Sequence, residues 1–236
     1  MRRAGLVGGM VLAALVATPI QAARAADGLD YAHFVAFEQS VADDVDAFWT
    51  TWSQEHSTTY KSAQLVLVPK AETHRSACDV SAADPQDAPG AEVSPAFFCP
   101  RDDTVYLSAS WIYRSIYQPF GDLAAAVAVA HEWAHHVQFV QREKVPSVMF
   151  AELQADCWAG VWTHDAGERG LLEPGDLEGA GKALYALGDY AYRAPDHHGT
   201  PRQRERELGV GYKTGDVNTC DIPTPRSRRA PGTSAR

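Results

Sequence analysis

Residues 131–138 read HEWAHHVQ and place two histidines and a glutamate at a spacing that suits a metal ion. Positions four apart on a helix project from nearly the same face, so His131 and His135 can both reach one ion about 2 Å away. Glu132 then lies beside the ion, where a general base can take a proton from a metal-activated water. Because HExxH is short enough to arise by chance, it predicts a zinc site only if the chain also supplies a third ligand.

A pair of carboxylates follows on the next predicted helix. The stretch ELQAD puts Glu152 and Asp156 four positions apart and on one face. We assign Glu152 as the third zinc ligand. Asp156 is assigned as the carboxylate that accepts the distal N–H of a ligating histidine and so fixes its tautomer. The reverse assignment of the two carboxylates remains open.

The surroundings of these residues favour a metal over an ordinary polar helix face. The first helix reads AAAVAVA before the motif and VQFV after it, and the second reads FAELQADCWAGVW, so both are predicted to be buried. A buried cluster of histidines and carboxylates is hard to satisfy without a cation. The longer pattern HExxHxxGxxH is excluded by Gln138 and Gln141. His136 points about 100° away from His135 and is predicted to pack or hydrogen-bond.

The hydrophobic pattern predicts an α+β fold, with a few strands in the first half and helices in the second. An amphipathic helix is expected over residues 31–53 and a buried strand over 65–68. Residues 84–95 read as a loop, and an extended pattern follows over 97–107. The remaining expected elements are helices: one capped by Asp122 and ending before Pro146, one from Ser147 to about Asp165 with Gly167 just past its end, one after Pro174, and one opened by the capping box Thr200-Pro201-Arg202-Gln203.

The two ends of the 236-residue chain differ from its middle. Residues 1–25 combine Arg2 and Arg3 with an apolar run and the site Ala23-Arg24-Ala25, which predicts a signal peptide and a secreted or extracytoplasmic protein. A membrane anchor is the alternative, but the run is short for a spanning helix. Residues 26–222 are expected to form one domain and 223–236 a disordered basic tail.

Charge and cysteine content narrow the function classes. Removal of residues 1–25 would take the formal charge from −9 to −12, since it removes three arginines and no acid. Such acidity argues against nucleic acid as a partner. The even number of cysteines predicts two disulfides in an exported chain, with three possible pairings, and without C-x-x-C spacing thiolate ligation of zinc is disfavoured. The cysteines are Cys78, Cys99, Cys157 and Cys220.

The chain resembles the neutral zinc metallopeptidases found in bacteria. The likeness lies in the stretches FFCPRDDTVYL (97–107), HEWAHHVQ (131–138), ELQADCWAG (152–160), and HGTPRQR with YKTGDVNTCD (198–221). It implies a mainly helical, zincin-like α+β domain with a small N-terminal sheet, in which the active-site helix packs on the ligand helix. It further implies His131, His135 and Glu152 as ligands of one Zn²⁺, Glu132 as base, and the strand 104–107 near the cleft, where an edge strand would pair with a peptide backbone.

Three further expectations accompany this resemblance. His198 is a candidate donor to the oxyanion formed during hydrolysis, although it also fits a polar loop ahead of the Thr200 cap. Pairing Cys157 with Cys220 would tie the C-terminal segment to the ligand helix, and Cys78 would then pair with Cys99. Where the family tends to carry an aromatic stretch, this chain has EREL at 205–208, which leaves the packing of the last helix open.

The leading functional hypothesis is an exported zinc peptidase that acts on a peptide or protein substrate through a zinc-activated water and Glu132. One alternative is a zinc-stabilised binding protein without turnover, and another is a zinc amidase acting on a cell-wall amide. The mature chain is not expected to span a membrane or to bind nucleic acid, and its oligomeric state is not predicted. The sequence contains no G-x-S-x-G or phosphate-binding glycine loop that would indicate other catalysis.

Overall fold

The computed structural model describes residues 30–221. The predicted signal peptide (1–25) and basic tail (223–236) lie outside these residues. The elements are α1 Tyr31–Glu55, β1 Gln64–Val68, β2 His74–Arg75, β3 Ser81–Ala82, β4 Val93–Ser94, β5 Ala96–Cys99, β6 Thr104–Ser108, α2 Ala109–Ile112, a π-helical turn Tyr113–Tyr117, α3 Gln118–Phe120, α4 Asp122–Gln141, α5 Val148–Glu168, α6 Asp176–Leu187, α7 Pro201–Thr214 and a 3-10 turn Val217–Cys220. The expected fold class, α+β and mainly helical, is confirmed.

Helix α1 forms because its apolar residues recur at steps of three and four and its start is capped. The side chain of Asp30 accepts a hydrogen bond from the backbone N–H of His33. The buried stripe consists of Phe34, Phe37, Val41, Val45 and Trp49. This stripe packs against α4, so α1 is one wall of the core that holds the metal-motif helix in place.

The main sheet has the order β1-β6-β5. Strand β6 runs parallel to β1 and antiparallel to β5, and all of its residues are buried. The strand around 104–107 is therefore central, and the edge beside the cleft is β5. The expectation that residues 104–107 lie where a peptide could add to an edge strand is wrong in this respect, because the order of strands depends on tertiary pairing that hydrophobicity does not encode.

A second sheet, ordered β2-β3-β4, is built from two-residue strands. Strand β4 falls inside the stretch 84–95 that was expected to be a loop. Two residues are too few to show the alternation by which a strand is recognised, so the pattern could not reveal it. The disulfide Cys78–Cys99 connects this region to the end of β5.

Helix α4 begins one residue earlier than a cap at Asp122 would place it. Gly121 occupies the cap position with φ of 95°, and Asp122 is the first helical residue, where its carboxylate accepts from the N–H of Leu123. The helix ends where Arg142 adopts a left-handed conformation. The short helical segment α2, the π-helical turn and α3, over 109–120, had not been expected from the sequence.

Helix α5 begins after Ser147, as expected, but extends past its expected end. Gly167 lies within the helix, with the ring of Tyr212 close to it, and the left-handed residue is Gly170, with φ of 74°. Glycine thus marks the helix end, three residues later than predicted. Within the described residues 30–221, none of the helices has the length and apolar character needed to cross a membrane.

The last helix packs tightly on α5 despite its polar sequence. A Cβ on Gly211 would lie 1.9 Å from the carbonyl oxygen of Cys157, and one on Gly160 would lie 2.2 Å from that of Leu208, so only glycine fits at these positions. The predicted capping box at Thr200 and Gln203 is present. The disulfide Cys157–Cys220 closes the same face, so the packing left open by the EREL stretch is provided by close backbone contact.

Candidate metal centre

Helices α4 and α5 bring three predicted ligands together. The Nε2 atoms of His131 and His135 lie 3.1 Å apart, and each lies 3.2 Å from a carboxylate oxygen of Glu152. Ligands held about 2.05 Å from a tetrahedral zinc would be about 3.3 Å from one another. The ligand atoms thus already have nearly the spacing that one zinc ion requires.

The opposite ring nitrogen of His135 is held by Gln138. Both N–H groups of the Gln138 amide donate to acceptors, the carbonyl oxygen of Ala151 at 2.9 Å and Oε1 of Gln154 at 3.0 Å. The amide oxygen therefore points at Nδ1 of His135, 3.0 Å away, and must accept a hydrogen bond from an N–H group there. We infer that Nε2 of His135 presents a lone pair to the site.

Asp156 plays the corresponding part for His131. Its Oδ1 atom lies 2.8 Å from Nδ1 of His131, although the ring is not turned squarely onto the oxygen. A carboxylate at that distance favours the proton on Nδ1, which again directs the Nε2 lone pair to the site. Two lone pairs facing each other at 3.1 Å repel, and a cation between them removes the repulsion. The donor set therefore fits zinc, and the geometry favours Glu152 over Asp156 as the third ligand.

Arg204 holds Asp156 from the other side. Its Nε and Nη2 atoms donate to both oxygens of Asp156 at 2.8 Å, and its Nη2 lies 3.8 Å from Glu152. Arg204 and Asp156 are both buried. Such a two-pronged pair fixes the carboxylate in orientation and charge. Neither Arg204 nor Gln138 was assigned a role from the sequence, although both fall inside the stretches HGTPRQR and HEWAHHVQ that carried the resemblance.

Burial and the neighbouring charges shift the pKa values of the cluster in opposite directions. Burial alone would raise the pKa of Glu152, but hydrogen bonds from His131 and His135 hold it far below its ordinary value. Burial alone would lower the pKa of His131, but Asp156 and Glu152 raise it to about 10. The cluster therefore attracts positive charge, which a proton supplies in the free protein and a metal cation can supply in its place.

Glu132 lies in the same open cleft but outside the ligand group. The cleft has a volume of about 630 Å³, and His131, Glu132, His135 and Glu152 all line it. Burial raises the pKa of Glu132, partly offset by the two histidines. A carboxylate with a raised pKa beside an accessible metal position is suited to accept and return a proton.

His198 also lines the cleft, at the end of a loop fixed by Asp189. The carboxylate of Asp189 accepts from the backbone N–H of Ala191 at 2.7 Å and of His198 at 3.0 Å, and contacts Nδ1 of His197. The side chain of His198 remains about half exposed, whereas that of His197 is buried. The structure thus brings His198, and not its neighbour, to the cleft.

His136 faces away from the site, as its helical position predicts. Its ring is fully buried, with Nε2 2.7 Å from the carbonyl oxygen of Lys61 and Nδ1 3.0 Å from Asp103. Phe98 and Tyr60 pack against it edge-on. This histidine therefore anchors α4 to the sheet and is separate from the ligand group.

Comparison with known proteins agrees with this arrangement. The family model described as "Putative neutral zinc metallopeptidase" matches residues 5–146 and 141–222. The chain is 35% identical over 159 residues to the uncharacterized protein YpfJ of Escherichia coli strain K12, a match that covers 56% of this chain and 55% of that protein. It is 35% identical over 162 residues to the uncharacterized proteins Rv2575 of Mycobacterium tuberculosis and Mb2605 of Mycobacterium bovis, covering 55% of each chain.

The chain spans about half the length of the curated relatives it matches. No solved structure gave a match. Because the family model covers most of the chain and includes both ligand helices, the chain belongs to the putative neutral zinc metallopeptidase family.

Proposed function

We propose that this protein is an exported zinc-dependent peptidase. The observation that carries the proposal is the convergence of two Nε2 lone pairs and the Glu152 carboxylate at zinc-ligand spacing, with Glu132 beside them in an open cleft. Zinc held there would supply a Lewis acid that acidifies water and polarises a carbonyl group. Three protein ligands leave a fourth position for water or substrate, as hydrolytic zinc sites require.

The residues around the ligands would then divide the work of hydrolysis. Glu132 takes a proton from the attacking water and returns it to the leaving amine. Asp156 and Gln138 hold the two imidazoles in the tautomers that expose Nε2. His198, half exposed at the cleft wall, would donate a hydrogen bond to the oxyanion.

The edge strand β5 supports a peptide as the substrate. Strand β5 is paired with β6 along one edge and, among the described residues, has no partner strand in this sheet along the other. Residues of β5 line the cleft that contains Glu132. An extended peptide could add to this edge through backbone hydrogen bonds. Such pairing would hold a scissile carbonyl near the ligand group without regard to sequence.

Export is supported by the two disulfides, because such bonds persist in oxidising compartments. The zinc-stabilised binding protein and the cell-wall amidase would use the same ligand group. The binding protein has no need of Glu132, and its presence in the cleft favours an enzyme. The amidase would need a substrate other than a peptide chain.

The test compares the wild-type protein with Glu132→Gln on a mixed peptide library, with zinc content measured for both. We expect equal zinc in the two proteins and peptide cleavage by the wild type alone. Equal zinc without cleavage by either would contradict a peptidase and would favour the binding protein. Release of amide-linked cell-wall fragments without peptide cleavage would favour the amidase.

A further inference from the structure

The cleft walls suggest which peptides would be cut. Resting on the proposed peptidase function, we propose that this site selects peptide segments away from a free carboxyl terminus, with bulky apolar side chains on both sides of the scissile bond. Two apolar surfaces flank the ligand group, and no Lys or Arg in the described lining of the cleft is free to bind a carboxylate. Each of these features is seen in the residues that the structure describes.

The first surface combines Ala128, which precedes the ligands on α4, with apolar side chains of two other elements that line the cleft. Ala128 lines the cleft one helical turn, or about 6 Å, before Glu132. Helix α6 begins beside Phe120, just ahead of α4, and its last turn brings Leu184 and Leu187 to the same cleft. Trp111 lines this cleft as well. We call Trp111, Ala128, Leu184 and Leu187 the Trp111 surface.

The second surface lies beyond His135. Phe139 follows that ligand by one turn, and its ring centroid lies 5.7 Å from that of Phe98 on the edge strand. Val148, at the start of α5, lines the cleft beside them. Phe139 is 49% exposed and Val148 is 42% exposed, so their apolar area is available to a ligand. We call Phe98, Phe139 and Val148 the Phe139 surface.

Phe139 and Val148 on one surface and Leu187 on the other are exposed, and all three line one concave site. Single exposed apolar residues are common, but their convergence on a cleft is typical of a binding site. On α4, Ala128 precedes the ligands and Phe139 follows them, so the two surfaces meet this helix on opposite sides of the ligand group. A peptide whose scissile bond reaches that group would therefore place a side chain against each of them.

The charges of the cleft argue against a free carboxyl terminus or an acidic side chain at the cut. Among the described residues that line it, the one Lys or Arg is Arg204, and its guanidinium is engaged with Asp156 and close to Glu152. The acidic residues that line the cleft are Glu132, Glu143 and Glu152, and Glu143 follows Phe139 by four positions. A carboxypeptidase needs a cation to hold the terminal carboxylate, so the cleft is better suited to bonds away from a free carboxyl terminus.

The experiment measures binding and cleavage separately. Peptides of equal length, acetylated at one end and amidated at the other, would carry Phe-Leu, Ala-Ala or Asp-Glu at the centre. Their dissociation constants are measured on zinc-loaded Glu132→Gln, which does not turn over. We expect Phe-Leu to bind at least tenfold more tightly than Ala-Ala, and Asp-Glu more weakly than both.

Phe139→Ser tests the surface directly, because Phe139 is exposed and its loss should not disturb the fold. We expect this variant to lose most of the preference for Phe-Leu. Tyr185→Ser is the matched control: Tyr185 is 43% exposed on α6, outside the cleft lining, and should leave the preference unchanged. Equal binding of Phe-Leu and Ala-Ala, or an unaltered preference in Phe139→Ser, would overturn the inference.

Wild-type protein on the same peptides separates this inference from the proposed function. Cleavage of all three peptides at equal rates would contradict the proposed preference for apolar side chains and would still support a peptidase. Preferential binding of Phe-Leu without cleavage would support the inference and count against the peptidase. The same peptides are also supplied with both ends free, and cleavage of these alone, at the bond next to the carboxyl terminus, would overturn the exclusion of a free carboxyl terminus.

Discussion

Replacing Gln138 by Leu tests whether its amide sets the tautomer of His135. The change removes the acceptor 3.0 Å from Nδ1 of His135 and leaves the acceptors Ala151 O and Gln154 Oε1 without their donor. Loss of a residue that orients a ligand from outside typically lowers metal affinity by about 10- to 100-fold. That range corresponds to about 1.4 to 2.7 kcal/mol of zinc-binding free energy.

The assay is competition for zinc between the protein and a fluorescent chelator. Gln154→Met is the matched control, because it removes an outer acceptor but leaves the Gln138 oxygen available to His135, so its zinc affinity should change by less than about threefold. Circular dichroism and the melting temperature of the zinc-free proteins would establish that each variant is folded. A folded Gln138→Leu protein with wild-type zinc affinity would refute the tautomer reasoning.

Further predictions concern stability and can be checked by urea denaturation. Burial raises the pKa of Glu38 from 4.5 to about 8. Between these two values Glu38 loses its proton in the unfolded chain and keeps it in the folded protein, so the free energy of unfolding falls as pH rises. Glu38→Gln should remove that fall, and its advantage over wild type should grow by about 2 to 3 kcal/mol between pH 5 and pH 7; a constant difference would contradict the buried, protonated state. Arg204→Gln leaves the buried carboxylate of Asp156 without its charged partner and should lower the free energy of unfolding by about 3 to 5 kcal/mol. A loss below about 1 kcal/mol would show that the pair is not desolvated. Replacing Cys157 and Cys220 by Ser opens a cross-link between residues 63 apart and should cost about 4 kcal/mol, so an unchanged midpoint would count against this pairing.

Local pattern was enough to predict the helices that carry the ligands. Long runs of small apolar residues indicated α4 and α5, and the Thr200 capping box located the start of α7. These signals are contained within about twenty residues of chain. The spacing of His131 and His135 follows directly from helical geometry, so the sequence could also predict that these two residues would converge.

The residues that support the ligands could not be assigned in the same way. Arg204 meets Asp156 across 48 positions, and Gln138 reaches Gln154 across 16, so each contact exists only once the helices are packed. The same reason explains the misplaced edge strand. Hydrophobicity predicted the strand 104–107 as an element, but its central place between β1 and β5 is a property of the assembled sheet.

The central claim is that His131, His135 and Glu152 hold one zinc ion. Anomalous diffraction from crystals of the zinc-loaded protein, recorded on both sides of the zinc absorption edge, tests it most directly. We expect one anomalous peak, about 2.0 to 2.2 Å from the Nε2 atom of each histidine and from a carboxylate oxygen of Glu152. A zinc-loaded crystal with no peak at these atoms, or with Asp156 in place of Glu152 as ligand, would contradict the account.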